Sequence, residues 1–437
     1  MKPILQLALD FVDLKRALTC AEESVKGGID WLEAGTPLIK SEGLNVVREL
    51  RRRFPKHTII ADLKTMDAGR IEMESAAKAG ANIGIVMGSA SESTINECIE
   101  AGKTYGIDIC VDLLGVEDYI GLAKKAEQWG AHHVGLHLPI DDQMLGKDPL
   151  EQLRKLRKHI NMPIAVAGGL NSETAPEAVK AGADIIIVGG AINKAPDAKK
   201  ATEIIKKAML TGKKIKSDLY KKYSMENVRE LLMKVSTPNI CDAMHYSGAI
   251  MGIHPVTAGA KVAGPAYTVR TYPGDWAKPV EAIEFAQKGD VLVIDAGGQA
   301  PAIWGELATH SCVQKGIAGV VIDGAIRDVP EIRALKYPAF SKIICPQAGE
   351  PKGFGETNIA IKIGGIDIRP GDWIVGDDNG VVRIPKDKVL EYANRAMDWL
   401  ERENRLRKEI QNASSLSEVA ELIKWEKKIG KEVNDKQ

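Results

Sequence analysis

Short apolar runs recur along the first half of the chain, each ending on a charged or small residue and each followed by an amphipathic stretch. The runs are Ile4–Leu9, Trp31–Ala34, Thr58–Ala61, Ile83–Met87, Ile107–Val111, His133–Leu138, Ile164–Ala167 and Ile185–Val188. Between them Leu14–Lys26, Ile71–Ala79, Glu92–Tyr105, Ile120–Trp129 and Ser172–Ala181 place apolar residues at helical spacing. Eight strands alternating with helices over residues 1–210 predict an α/β fold, a (β/α)8 TIM barrel, whose chemistry belongs at the carboxyl ends of the strands.

Those ends carry Asp10, Glu33, Asp62 with Lys64, Asp112, His137, Gly168-Gly169 and Gly189-Gly190. Asp62 and Lys64 alternate on one strand and so share a face. Asp67, three residues on, can fold back to hold Lys64 charged and in place. An Asp at a strand end is often only the N-cap of the next helix, and Asp10 and Asp112 fit either role; Glu33 is a poor cap and favours function. The two Gly pairs close the seventh and eighth strands, where backbone N–H groups cradle a phosphate in this fold, so a phosphorylated small molecule is expected. Glu33 and Asp62 supply hard oxygen ligands for Mg²⁺ (or Mn²⁺), which would stabilise an enediolate. Lys64, flanked by carboxylates, stays protonated and carries protons; His137 is a second acid/base candidate.

Residues 211–235 are rich in lysine and read as an exposed basic linker. A second α/β domain is expected over 236–400, entered by the helix-start signal Ser236-Thr237-Pro238-Asn239. Gly289–Asp295 and Gly319–Asp323 are apolar strands ending in Asp. Beyond the second, Arg327-Asp328 reads either as a simple ion pair or as an arginine for a substrate carboxylate beside a cation-holding aspartate. Residues 401–437 form a charged helical tail, and Ser415-Leu416-Ser417-Glu418 is a capping box.

Composition narrows the function classes. Lys+Arg and Asp+Glu both number 59, so no electrostatic footprint for nucleic acid exists. No signal peptide or long apolar run is present, which predicts a cytoplasmic protein with no membrane partner. Cys20, Cys98, Cys110, Cys241, Cys312 and Cys345 lack metal-ligand spacing and read as buried thiols.

Two resemblances sharpen these expectations. Leu7-Ala8-Leu9-Asp10, Glu33-Ala34-Gly35-Thr36-Pro37-Leu38-Ile39, Ala61-Asp62-Leu63-Lys64-Thr65-Met66-Asp67, Ala167-Gly168-Gly169 and the spacing of His137, Asp141, Gln143, Gly146 and Lys147 resemble 3-hexulose-6-phosphate synthase of the orotidine-5'-phosphate decarboxylase suprafamily. The resemblance implies a reversible Mg²⁺-dependent aldol reaction of formaldehyde with ribulose 5-phosphate, with metal-binding and proton-transfer roles on Asp10, Glu33, Asp62, Lys64, Asp67 and His137. The rival is 3-keto-gulonate-6-phosphate decarboxylase, which shares the motif; the Thr36–Gly43 segment and the His137 loop look more like the synthase. Trp304-Gly305-Glu306-Leu307, Asp323-Gly324-Ala325-Ile326-Arg327-Asp328 and Asp377-Asp378-Asn379-Gly380 resemble the regulators of ribonuclease E activity A and the 4-hydroxy-4-methyl-2-oxoglutarate aldolases. That likeness implies a 2-oxo acid bound by Gly305, Leu307 and Arg327, with metal at Asp328 and Glu306; Glu331 completes an aldolase-like pattern. The alternative is a protein-binding regulator without catalysis. Both families imply a homo-oligomer.

Overall fold

A computed structural model describes residues 2–145, 149–217, 220, 222–412 and 414–420. Eight parallel strands close a barrel: β1 (Ile4–Leu9), β2 (Trp31–Ala34), β3 (Thr58–Thr65), β4 (Ile83–Met87), β5 (Asp108–Asp112), β6 (His133–His137), β7 (Ile164–Ala167) and β8 (Ile185–Val188), with β1 hydrogen-bonded to both β2 and β8. The outward faces, such as Leu5, Leu7 and Leu9 of β1, merge with Leu18, Val47, Met73 and Ile95 of the surrounding helices into one core. The interior is plugged by Ile60, Ile83, Ile85 and Cys110 against Trp31. Alternation therefore turns Gln6, Ala8 and Asp10 of β1 inward. Asp13, rather than Asp10, caps the helix Leu14–Lys26 by accepting from the Arg16 N–H.

Chain segments divide between two compact units, the first made of 1–143, 147–222 and 401–437 and the second of 144–146 and 223–400. In the second unit, parallel strands Ala339–Ile344, Gly319–Ile326, Val291–Asp295 and Val262–Arg270 lie side by side, and Trp373–Asp377 and Gly380–Ile384 extend the sheet antiparallel. One face packs Leu292, Ile294 and Ile322 on helices that contribute Ile283, Cys312 and Ile332; the other packs Val291, Val293 and Phe340 with Ile361, Ile368 and Ile374. The carboxylate of Asp372, almost fully buried, accepts from the Arg369 and Lys386 N–H groups at 2.9 and 3.1 Å and from Arg383 Nε at 2.8 Å.

The expected linker is corrected here. Residues 225–234 are helical, with Val228, Leu231, Leu232 and Val235 just beyond them buried, while Met225 and Met233 stay exposed; the buried positions, spaced three and four apart, share one face, which is enough to seat a short helix. Ile215 pairs through its backbone with Ser172 in the barrel unit. The described part of the tail is not a separate element: one helix runs Val389–Gln411, and its last turns tie to the barrel unit through Arg405, which meets Glu23 at 2.8 Å and Glu409 at 2.8 Å, while residues 421–437 lie outside the described residues. The expected capping box of Ser415 with Glu418 forms, and the helix-start signal at Ser236 is a second one, closed with Asn239. All six cysteines are free; Cys241 and Cys345 are only partly buried. Among the described residues no helix is long and apolar enough to cross a membrane.

Asp275 gives one acid-sensitive joint. Its buried carboxylate accepts from the Ala277, Lys352 and Phe354 N–H groups at 3.0, 3.0 and 2.8 Å. Burial opposes its charge, but these amides outweigh that and hold its pKa below the ordinary carboxylate range. A carboxyl depressed in the folded state adds stability above its unfolded pKa and loses it as pH falls through the folded one. Hydrogen exchange in residues 350–354 should therefore accelerate below about pH 4 in the wild type, whereas Asp275→Asn should exchange fast already at pH 7 and show no such step.

Candidate active site

The carboxyl ends of β1, β2, β3, β5 and β6 bring six predicted residues together. Strand β3 runs four residues past its apolar run, and its register with β4 slips between Ala61 and Thr65. Lys64 sits at this slip with φ 48°, in the left-handed region that non-glycine residues avoid. Such a bulge re-aims a side chain, and Lys64 Nζ lies 3.0 Å from Asp62 Oδ2 and 3.5 Å from Asp112 Oδ2. His137 Nδ1 stands 3.7 Å from the same Asp112 oxygen. Thr36 Oγ1 donates to Asp62 Oδ2 at 2.7 Å, and Gln6 Nε2 donates to Glu33 Oε2. The Asp10 carboxylate lies between β2 and β8: a Cβ on Gly35 would come within 2.4 Å of its Oδ1, and one on Gly189 within 3.2 Å of its Oδ2.

Two expectations change. Asp67 does not hold Lys64; it is exposed and its carboxylate accepts the adjacent Ala68 N–H at 2.7 Å. The left-handed turn at Lys64 sends the ammonium toward β5 instead, so Asp112 takes that role. Asp112 also accepts the Leu114 N–H at 3.0 Å, so the local turn and the site share one carboxylate. Sequence reasoning could have found it by noting that Cys110 and Asp112 alternate on the inner face of β5.

Charges in this ring are unequal. Burial works against the Lys64 ammonium, but Asp62 and then Asp112 outweigh it and raise its pKa. Asp112 also resists burial, through His137 and Lys64, and its pKa falls. Glu33 is pushed well above the carboxylate range by burial and then by the Asp62 and Asp10 charges. Asp10 remains open to the barrel mouth, yet the protein mass around it and the Asp62 charge raise its pKa, partly offset by Lys64, His137 and Lys194. Three carboxylates gathered at one rim, with Glu33 and Asp10 both raised in pKa by burial and by the Asp62 charge, form a donor set short of positive charge, which fits a divalent cation. Among the described residues no three His, Cys, Asp or Glu side chains are arranged to hold a metal by themselves. Mg²⁺ needs fewer, since it keeps waters and substrate oxygens, and Glu33 and Asp62 fit that pattern.

Across the mouth, Gly168 (φ 121°) and Gly169 (φ 65°) follow β7, and a Cβ at 168 would come 2.7 Å from that of Leu138. Gly189 and Gly190 follow β8, and Lys194 Nζ lies 3.3 Å from where a Gly190 Cβ would stand. A cation beside this turn was not singled out from the sequence. Gln143 donates from Nε2 to Leu138 O at 2.8 Å; the Asp141 side chain, Gly146 and Lys147 lie outside the described residues.

In the second unit, Gly305, Glu306, Arg327 and Asp328 meet. Asp328 Oδ2 accepts the Glu306 N–H at 3.1 Å and lies 3.5 Å from Arg327 Nε. A Cβ at Gly305 would come 2.4 Å from that oxygen, so glycine is what lets the carboxylate reach the helix start. Leu307 and Glu331 are exposed beside them. Asp328, like Lys64, is left-handed, with φ 57°.

Comparison with known proteins matches residues 3–205 to the family described as Orotidine 5'-phosphate decarboxylase / HUMPS family, and residues 237–383 to that described as RraA-like, Aldolase/RraA. The 3-hexulose-6-phosphate synthase of Bacillus subtilis (strain 168) is 36% identical over 209 residues, covering 48% of this chain and 99% of the relative. That of Mycobacterium gastri is 37% identical over 205 residues, covering 47% and 99%. An uncharacterised protein of Methanocaldococcus jannaschii is 41% identical over 195 residues, covering 44% and 93%.

Proposed function

This chain belongs, through residues 3–205, to the orotidine 5'-phosphate decarboxylase / HUMPS family, and on that premise we propose that its barrel is an aldehyde-lyase joining formaldehyde reversibly to ribulose 5-phosphate to give 3-hexulose 6-phosphate. The observation that carries this reading is the Lys64 ammonium held between Asp62 and Asp112, with His137 beside the same Asp112 oxygen.

Lys64 is kept protonated and so acts as acid, not as resting base. His137, oriented by Asp112, is the group placed to take the C1 proton of ribulose 5-phosphate, leaving an enediolate. C1 of the enediolate attacks the formaldehyde carbon, and the alkoxide formed there receives a proton from Lys64. The Gly168-Gly169 and Gly189-Gly190 turns, with Lys194, bind the phosphate and fix the sugar against the rim. Glu33 and Asp62 would hold Mg²⁺ or Mn²⁺, which supplies positive charge beside the substrate oxygens. Asp10, between Gly35 and Gly189, orients the sugar hydroxyls. The partners are thus a sugar phosphate and formaldehyde.

Formaldehyde consumption with ribulose 5-phosphate tests this. Turnover should stop with chelator, return with Mg²⁺ or Mn²⁺, and be absent in Asp62→Ala; turnover surviving both treatments sinks the mechanism, and CO₂ release from 3-keto-gulonate 6-phosphate in its place would favour the decarboxylase.

For the second unit the exposed Arg327 guanidinium beside Asp328 favours a metal-dependent aldolase or decarboxylase of a 2-oxo acid, whose carboxylate Arg327 receives. Pyruvate release from 4-hydroxy-4-methyl-2-oxoglutarate, lost in Asp328→Ala, is the expected result. No turnover of any 2-oxo acid with Mg²⁺ or Mn²⁺ would leave the protein-binding regulator.

A further inference from the structure

Below its rim the barrel interior holds a buried, hydrogen-bonded amide that neither the motifs nor the proposed steps use. Gln6 lies on β1, level with Trp31 of β2, while Ala8 is level with Glu33. It is thus one inward layer beneath the carboxylate ring. Its side chain is 3% exposed, that of Glu33 5%, and the two are joined by the Gln6 Nε2 to Glu33 Oε2 hydrogen bond. The plug around this level is largely apolar, made of Ile60, Ile83, Ile85 and Cys110 against Trp31, whose ring His133 meets edge-on at 5.9 Å.

An amide placed there carries a desolvation penalty that methionine or leucine would not. Its hydrogen bond offsets that penalty, and it also does something an apolar residue cannot. A glutamate on a strand can turn its carboxylate about the terminal torsion, which has only a broad, weak preference. With Oε2 committed to the amide from below, Oε1 is the oxygen left to the mouth. Asp62 also has a neutral donor on one oxygen, Thr36 Oγ1 on Oδ2 at 2.7 Å, although the Lys64 ammonium reaches both of its oxygens, at 3.0 and 3.3 Å. Each of the two carboxylates that fit a cation therefore has one oxygen tied by a neutral donor of its own.

We propose that Gln6 is a positioning residue for the barrel's reaction, its amide holding Glu33 in the orientation that offers one oxygen to a divalent cation. This rests on the reading of Glu33 and Asp62 as the cation's ligands. Partners of this kind, one step removed from the ion, typically change metal affinity by about 10- to 100-fold when replaced. Gln6→Met keeps length and removes the donor.

The test is a titration of the full chain with Mn²⁺ alone, followed by electron paramagnetic resonance, for wild type, Gln6→Met and Glu33→Gln, with circular dichroism reporting the fold. Gln6→Met should bind Mn²⁺ about 10- to 100-fold more weakly, and its formaldehyde turnover should recover as Mn²⁺ is raised, so that the apparent metal requirement shifts while kcat at saturation is restored. Should Gln6→Met fail to fold, Gln6→Asn keeps an amide in the same interior but is one methylene short of Glu33, and the same weakening is expected of it. A folded Gln6 variant that binds Mn²⁺ as the wild type does, while Glu33→Gln binds weakly, overturns the role of Gln6 and leaves the metal reading intact. If neither substitution alters Mn²⁺ binding, both fall.

Discussion

Lys64→Met should lower kcat/KM for formaldehyde and ribulose 5-phosphate by about a thousand-fold, or about 4 kcal/mol of transition-state stabilisation, the range expected when a positioned proton donor facing a developing alkoxide is lost. Methionine nearly matches the length of the lysine stem and keeps its packing, so the loss reports charge and proton rather than volume. The same lysine predicts a pH profile. Because its pKa is raised by Asp62 and Asp112, it stays protonated through the neutral range, and the wild-type rate should show no alkaline fall until well above the ordinary lysine range. Lys64→Arg should not rescue, since a planar fork needs two acceptors in one plane, whereas Asp62 and Asp112 come from different strands. Activity of Lys64→Met within tenfold of the wild type would remove the lysine from the chemistry.

Asp372→Ala should have the largest effect on the second unit. The carboxylate is buried and accepts from two backbone N–H groups and Arg383 Nε. Truncation leaves three donors without their acceptor, one of them a largely buried guanidinium, and breaking a buried pair from one side costs about 3–5 kcal/mol. Asp372→Asn keeps an oxygen in place and should lose about half as much. Hydrogen exchange in strands Trp373–Asp377 and Gly380–Ile384 gives a local reading: their protection should fall by about two to three orders of magnitude in Asp372→Ala. A fall of less than tenfold would mean that water or another side chain takes up the freed donors.

Most of the barrel was legible because its signals are local. β-branched runs, helical spacing and glycine stops coincide within a few residues of the strands and helices observed, from Ile4–Leu9 to Ile185–Val188. The end of β3 was not legible. Its last residues are polar because they line a rim, and periodicity reads polar residues as a loop. The left-handed turn at Lys64 follows from the bulge, a pairing property of two strands that no single strand announces. The choice of Asp112 over Asp67 depends on it. Asp10 and Asp112 were ambiguous for a related reason: an aspartate at a strand end satisfies a cap and a site equally well until the cap is located, and Asp13 turned out to be the cap after β1. The helix over 228–234 was missed because lysine density around it masked its single apolar face. The second unit was readable in its strands and in the Arg327-Asp328 pair, yet the contact of Asp328 with the Glu306 N–H joins positions 22 residues apart, beyond the reach of local pattern.

The barrel unit is interrupted in sequence: its final piece, with Arg405 paired to Glu23, is encoded after everything that makes the second unit. Synthesis therefore delivers eight strands early and the last helical turns late. A growing chain must complete the inserted unit before Glu23 meets its guanidinium, so the barrel unit gains its last contacts only after residue 405 has been made. An early stop codon anywhere in the second half would thus damage both halves, and a gene cut after residue 222 would encode a barrel lacking one of its own parts.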